Sequence, residues 1–500
     1  MRFPKIPIME RAFRLFEYLG FREGKDGQLL KYYFEGENCP RRFNDIVYVP
    51  PKDSIPVKDP FRFSTCNNGL VPDCTVNDGA EEILQDAFGY FKYRLKNNFE
   101  KGFQELLRRD NLSTREYLRQ VLDYDFHSIQ YLETMNSATG QYDQAFSESV
   151  MDSFDFDYPS DKPVEWFCVK GGTSEVIKEM VQKLNTKPSL KHRVMSIKWK
   201  QTPSDRNAFE DKRSMEVKVA NEKRKPYKEE TKNFSALFNT TSLACMQRMD
   251  LRDAGFGRAQ LDAMRNLHYD DSTKVAIEFD APWWKTKCNI KGGYASTDLP
   301  IRTCVYPSYN LEAKGKAVLL CSYTWGQDAQ RMGSLVEDNS PMDTSTEKYD
   351  QLKELLVHNL ALLHQNSASY KEMHDTISKA YLRHHAYNWY KDPNTAGAFA
   401  LFGPGQFANY YPKLIEPAAN GHLYLAGEAS SAHHAWIVGS LDSAYRALVL
   451  YLRTLQFSLP EICGSLEALD KEWGELREIQ SDALDWLAIL SKMDLPTADA

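Results

Sequence analysis

The 500-residue chain has no GxGxxG anywhere, so the glycine-rich turn that commonly seats a dinucleotide pyrophosphate at a helix N-terminus is missing. Its nine cysteines are scattered and form no CxxC pair, which argues against a zinc site. An odd count without frame-like spacing fits reduced thiols in a reducing compartment. Positive charge is not in excess. The formal net charge is -7, which gives no electrostatic case for nucleic acid. The basic run "EKRKPYKEE" at 222–230 is flanked by acids and broken by Pro226, and it reads as a solvated turn. No stretch is long and apolar enough to span a bilayer. The opening "MRFPKIPIMERAFRLF" lacks the uninterrupted apolar run of a signal peptide. The expectation is a soluble, intracellular protein. Sequons at Asn111, Asn233 and Asn239 matter only in a secreted chain.

What is present suffices for two or three domains with a large core. The balance of 42% hydrophobic and 26% charged residues is that of a globular protein. Ile8, Ala12, Leu15, Phe16 and Leu19 share one face of a short helix at 7–19. "QLLKYYFEG" and "DIVYVPP" read as strands. From Glu81 to about Phe146 the period becomes helical, and "NLSTREYL" carries a capping box with Ser113 as N-cap and Glu116 at N3. "SFDFDYPSDKP" at 153–163 reads as a loop. Strands follow at "WFCV", "RVMSIKWK", "SMEVKVAN", "FSALFNTT", "TKVAIEF" and "AVLLCSYTW". A helix follows the double glycine after "WFCV", and helices return at 347–364 and 371–384. The predicted class is mixed α/β or α+β with an inserted helical segment. No internal repeat is visible.

Near the end, "LYLAGEASSAHHAWIVGSLDSAYRAL" runs as strand, polar loop and amphipathic helix. A strand that stops at Gly427 admits close approach of another molecule to the backbone. Glu428 offers a carboxylate for ribose or ribityl hydroxyls. The helix beginning near Gly439 and Ser440 presents free N–H groups. Trp436 can lie against a flat ring. The same features also suit a buried strand-turn-helix with a structural Trp.

This segment resembles the C-terminal flavin-binding signature of the flavin-dependent amine oxidases, and the chain is most similar to the L-amino-acid oxidases among them. The motifs "MRFP", "VKGG", "DDSTKVAIEF", "GGYASTDLPIRTCVYP", "CSYTWGQDA", "NWY" and "GPGQF" carry the likeness from Arg2 to about Leu452. In that family a GxGxxG unit precedes the "MRFP" segment. The resemblance therefore implies a copy lacking that unit, with an incomplete FAD-binding Rossmann-like domain, a mixed-sheet substrate domain and a helical insertion. The implied organisation is 1–78 as the start of the substrate domain and 79–150 as the helical subdomain. Residues 164–262 would be part of the FAD-binding domain, and 263–414 the substrate domain. Residues 415–456 would be the C-terminal FAD segment, and 457–500 a tail.

The resemblance also assigns roles. Arg2 would bind a substrate carboxylate bidentately beside the flavin, which suits a guanidinium better than an ammonium. Tyr323 would bond the same carboxylate. Ala435 would offer its carbonyl to the substrate amine, at a position where some relatives have Gly, and Trp436 would form a wall. Phe399 would line the side-chain pocket. Lys274 would hold a water near flavin N5, and Trp389 would pack near the ring. Arg2, Val194, Gly427, Glu428, Trp436, Ile437 and Ser440 would contact FAD. No metal is implied. The expected reaction is hydride transfer from Cα to flavin N5, yielding a 2-oxo acid, ammonia and hydrogen peroxide from an L-amino acid and oxygen. A homodimer is compatible. An acidic group of Asp152, Asp155 and Asp157 suggests lysine or arginine as substrate, or merely a solvated loop. Two other readings stay open. One is a truncated, inactive remnant. The other is an amine oxidase or amino-acid monooxygenase of the same superfamily.

Overall fold

Alternating apolar residues set the largest sheet. Val275, Ile277 and Phe279 point to one side of the strand Ser272–Phe279 and are fully buried. The structure is a computed structural model describing residues 2–24, 26–51, 57–160, 162–200, 214–223, 227–312, 314–337, 339, 350–456 and 463–474. Seven strands pair in the order Tyr381–Asn388, Ser272–Phe279, Ala317–Trp325, Thr303–Val305, Tyr294–Thr297, Arg41–Phe43, Ile46–Tyr48. All neighbours are antiparallel except Tyr294–Thr297 with Arg41–Phe43. The helices Gln351–Leu363 and Tyr370–Ala380 cover the apolar face through Leu356, Leu360 and Ile377.

Helices from Asp73 to Phe156 share a second core that includes Phe91, Phe103, Leu118, Phe146 and Phe154. The expected capping box opens Thr114–Gln120. Glu116 N–H donates to Ser113 Oγ at 3.1 Å, and Ser113 N–H donates to Glu116 Oε2 at 2.8 Å. Such a cap stabilises a helix by about 1 kcal/mol.

Smaller units complete the mixed α/β class. Trp166–Val169 lies between Phe3–Pro4 and Leu29–Lys31 in an antiparallel trio. Leu423–Leu425 runs parallel to Leu237–Asn239. The strands His192–Trp199, Met215–Asn221 and Lys228–Phe234 form a meander. The last long helix, Ile437–Gln456, is joined to the helix Glu10–Tyr18 by the buried ion pair Arg11–Asp442.

Several local expectations are corrected. Residues 153–156 are not a loop but the end of a helix, Phe146–Phe156. Phe146, Val150, Met151 and Phe154 bury one side, and Asp155, one of the acids that made the segment read as polar, meets His433 on the other. The helix stops shortly before Pro159, whose ring disfavours helical geometry in the preceding residue. The second predicted helix of the 347–384 region ends at Ala380, and 381–384 open a strand that pairs along Ser272–Phe279. The end of the basic run is strand, not turn, since Lys228–Phe234 pairs with Met215–Asn221 while staying largely exposed. The final helix begins at Ile437, before the expected Gly439. Residues 224–226, 347–349 and 475–500, on which parts of these expectations fall, lie outside the described residues.

Candidate active site

An aromatic cage surrounds Arg2. Its guanidinium carbon lies 5.0 Å from the Phe156 ring centre and 5.5 Å from that of Phe34. Phe156 meets Trp436 edge-on at 5.0 Å, and Phe34 stacks on Trp166 at 4.9 Å. The pieces come from remote parts of the chain. Arg2 precedes the strand Phe3–Pro4, Phe156 ends a helix, and Trp436 precedes another. The Arg2 Nε and the Trp436 indole N–H are buried with no hydrogen-bond partner among the described residues. A buried polar group without a partner costs about 1–3 kcal/mol, so two such donors, both on residues packed against the Phe156 ring, suit an incoming acceptor.

Tyr32 packs in the same apolar cluster as Trp436. Burial raises its pKa, against the opposing charge of Arg2, and Tyr323 also acts on it. The cage meets the large sheet through Phe34, whose ring centre lies 5.6 Å from that of Tyr294 in the strand Tyr294–Thr297. On that sheet Lys274 and Tyr323 are cross-strand partners, with the Lys274 ammonium 4.5 Å from the Tyr323 ring centre. On its other side Lys274 faces Tyr387, and the Tyr387 ring is 4.7 Å from Trp389. Lys274, Tyr323 and Trp389 are thus one local group on the sheet.

The Gly427 turn forms the third group. The backbone at Gly427 has φ +132°, a conformation that L side chains rarely adopt, and its N–H donates to Ser443 Oγ at 2.8 Å. Ala400 N–H donates to Glu428 Oε1 at 2.5 Å, which places Phe399 beside this turn. Glu428 Oε2 is buried and unpaired among the described residues. Burial, with the Glu148 charge, raises the Glu428 pKa against the opposing effects of His434 and two backbone N–H groups. An acceptor oxygen left free in this way fits a ligand hydroxyl. Ala435 has φ +63°, the left-handed region, at a cost of about 1 kcal/mol for a residue with a Cβ. Ile437 and Ser440 lie half-buried in the first turn of the last long helix. Val194 lies elsewhere, packed with Ile197, Met215 and Leu423. The structure does not bring it to the Arg2 cage.

The three clustered acids separate. Asp157 pairs with Lys92 at 2.9 Å. Asp155 accepts from His433 Nδ1 at 2.9 Å. Asp152 makes no hydrogen bond or ion pair among the described residues and keeps open surface, although protein surrounds it. Burial raises its pKa to about 7, helped by the Asp155 and Glu148 charges and opposed by Arg2. Asp152 lies one helical turn before Phe156, on the same face.

Residues 10–447 match the family of flavin-containing amine oxidoreductases. The chain belongs to that family. A Dictyostelium discoideum protein named as a bifunctional amine oxidase is 34% identical over 96% of this chain, and the chain spans only 43% of its length. L-amino-acid oxidase 4 of Hebeloma cylindrosporum is 33% identical over 89% of this chain and 70% of its own. Cyclohexylamine oxidase from Brevibacterium oxydans shares the fold at TM-score 0.58 and 12% identity, over 92% of this chain and 86% of that one. Wild-type putrescine oxidase, solved with putrescine, aligns at TM-score 0.56 and 13% identity over 89% and 86%.

The cofactor of these flavin-containing amine oxidoreductases is FAD. The residues present fit it: Gly427 allows close approach, Glu428 Oε2 is an orphaned acceptor, and Arg2 and Trp436 carry orphaned donors. Phe156, Phe34, Tyr32 and Trp166 were not singled out from sequence. Each reads there as an ordinary core aromatic, and only their convergence on Arg2 distinguishes them. The Glu148 and Asp155 partners of the histidine pair were also not legible as such. Among the described residues no helix is long and apolar enough to cross a membrane, and no group of His, Cys, Asp and Glu could hold a metal ion.

Proposed function

We propose that this flavin-containing amine oxidoreductase deaminates L-amino acids oxidatively. The overall change takes amino acid, oxygen and water to a 2-oxo acid, ammonia and hydrogen peroxide. Bound flavin supplies the hydride acceptor and passes the electrons to oxygen. The chain's own residues place the substrate. Arg2 pairs its guanidinium with the carboxylate, and Tyr323 donates its hydroxyl to the same group. The Ala435 carbonyl accepts from the amino group, which must be neutral at reaction. Phe156 and Trp436 wall the pocket and exclude water, and Lys274 orients a water on the sheet side. Glu428 and Gly427 receive the cofactor.

The observation that carries this reading is the Arg2 guanidinium, caged by Phe156 and Phe34 with its Nε unpaired. A simple amine would leave that cation uncompensated. The named likeness to an L-amino-acid oxidase supports the same choice. In FAD-loaded protein, Arg2→Ala is expected to lower kcat/KM for L-leucine by about 10²–10³, as loss of two charge-assisted hydrogen bonds implies. Arg2→Lys recovers little of it. Unchanged kinetics remove Arg2 from the site. The second reading is an oxidase of amines lacking a carboxylate, supported by the fold shared with cyclohexylamine and putrescine oxidases. Turnover of such amines in preference to amino acids would establish it.

A further inference from the structure

His433 and His434 are adjacent, buried, and each faces a carboxylate from the same helix. His433 Nδ1 lies 2.9 and 3.1 Å from the two Asp155 oxygens. His434 Nδ1 lies 3.0 and 2.9 Å from those of Glu148. Each Nδ1 must therefore carry the proton and donate. The His434 ring also stacks on Phe407 at 5.2 Å.

The next residue is the left-handed Ala435, and Trp436 follows it. Bonds from Ser430 and Ser431 back to Gly427 and Glu428 knit the turn as far as Ser431, and the Ala435 N–H also acts on the Glu428 carboxylate. Beyond it, His433 N–H donates to Ser431 Oγ, and the two side-chain pairs anchor the segment. Glu148 closes a second path. It accepts from Phe402 N–H at 2.8 Å, two residues beyond the Ala400 whose N–H holds Glu428. Gly439 lets the last helix press on this segment, since a Cβ there would lie 2.1 Å from the His433 carbonyl oxygen. Glu148, Asp152, Asp155 and Phe156 follow i, i+4, i+7, i+8 spacing, one stripe of one helix.

We infer that the His434–Glu148 and His433–Asp155 pairs are positioning residues that hold Ala435 left-handed and thereby fix Trp436 against Phe156 and Glu428 against Ala400. The helix that sets Phe156 against Arg2 is thus also the clamp on the turn. The functional meaning given to Trp436 rests on the reading above; the clamp itself does not.

The test is hydrogen exchange on the flavin-free full chain. His434→Leu fills the space but removes the donor. Exchange of amides 432–436 is expected to rise about tenfold or more, the measure of a lost charge-assisted bond. Amides 444–452 of the last helix keep wild-type rates. His434→Asn keeps a donor near the Nδ1 position and stays close to wild type. Ala435→Gly added to His434→Leu restores much of the protection, because glycine adopts the left-handed backbone without strain. Unchanged exchange in His434→Leu, or no recovery in the double variant, overturns the inference. Should His434→Leu fail to fold, Ala435→Gly alone decides. It is expected to slow exchange at 433–436 about fivefold by relieving the strain, and an equal or faster rate overturns the clamp. A wild-type chain that takes up no flavin would count against the FAD reading and leave the exchange result standing.

Discussion

At the scale of single residues, the site is a set of charges whose neighbours decide their state. Asp152 is the clearest case. Of three acids close in sequence, Lys92 neutralises one, His433 takes another, and Asp152 alone has no hydrogen bond or ion pair among the described residues, with the Arg2 charge acting on it. With its pKa raised to about 7, Asp152 becomes a carboxylate as pH rises through neutrality. In FAD-loaded protein, KM for L-lysine should therefore fall as pH rises from 6 to 8, while KM for L-leucine stays level. Asp152→Asn should abolish that difference, and leucine preference in the wild type would refute it. Stability carries the opposite sign. A carboxyl whose folded pKa lies above its unfolded value loses stability as pH rises through the folded pKa. Asp152→Asn should thus raise the melting temperature at pH 8 and leave it nearly unchanged at pH 4. His434 is displaced upward too. Burial lowers its pKa, but the Glu148 charge and hydrogen bond outweigh burial. Its contribution is fully present below the unfolded value of about 6.5 and is lost as pH rises through the folded pKa.

Residue-scale legibility was uneven. Gly427, Glu428 and Trp436 stood out because a strand stop, a carboxylate and an indole in one short loop form a local pattern. Phe34 and Phe156 did not, because no local pattern separates a cage aromatic from a core aromatic. Asp152 was visible as an acid but misplaced in a loop.

At the scale of elements, the helix Phe146–Phe156 shows why. Its apolar residues face the helical core, while Glu148 and Asp155 face histidines almost 300 positions later. Sequence shows such acids as polar, and polarity next to Pro159 reads as loop. Their partners belong to tertiary structure. Strands buried by strict alternation, such as Ser272–Phe279, were legible, and so was the Ser113 cap. Lys228–Phe234 was not, since charge on both faces leaves no period to read. The element account predicts a ranking. Phe146, fully buried and stacked on Tyr117 at 3.7 Å, should cost about 3–5 kcal/mol on truncation to Ala. Ser113→Ala should cost about 1 kcal/mol through its cap. Denaturant titration of both variants checks the order. Gly439→Ala should disturb the His433 segment, because the new methyl meets a backbone carbonyl that has little freedom to yield. Weaker flavin retention with a small change in melting temperature is the expected result.

At the scale of the whole molecule, the Arg2 cage, the Lys274–Tyr323–Trp389 group and the Gly427–Glu428 turn come from different units; the cage meets the large sheet through Phe34 on Tyr294 and the segment after the turn through Phe156 on Trp436. Membership in the flavin-containing amine oxidoreductases follows from the match over 10–447. The substrate is the step taken beyond it. The most direct test is anaerobic addition of substrate to the FAD-loaded protein, with the visible flavin band as readout. L-leucine should bleach the band, and isopentylamine, the same side chain without a carboxylate, should not. Bleaching by the amine and not by the amino acid would contradict the account.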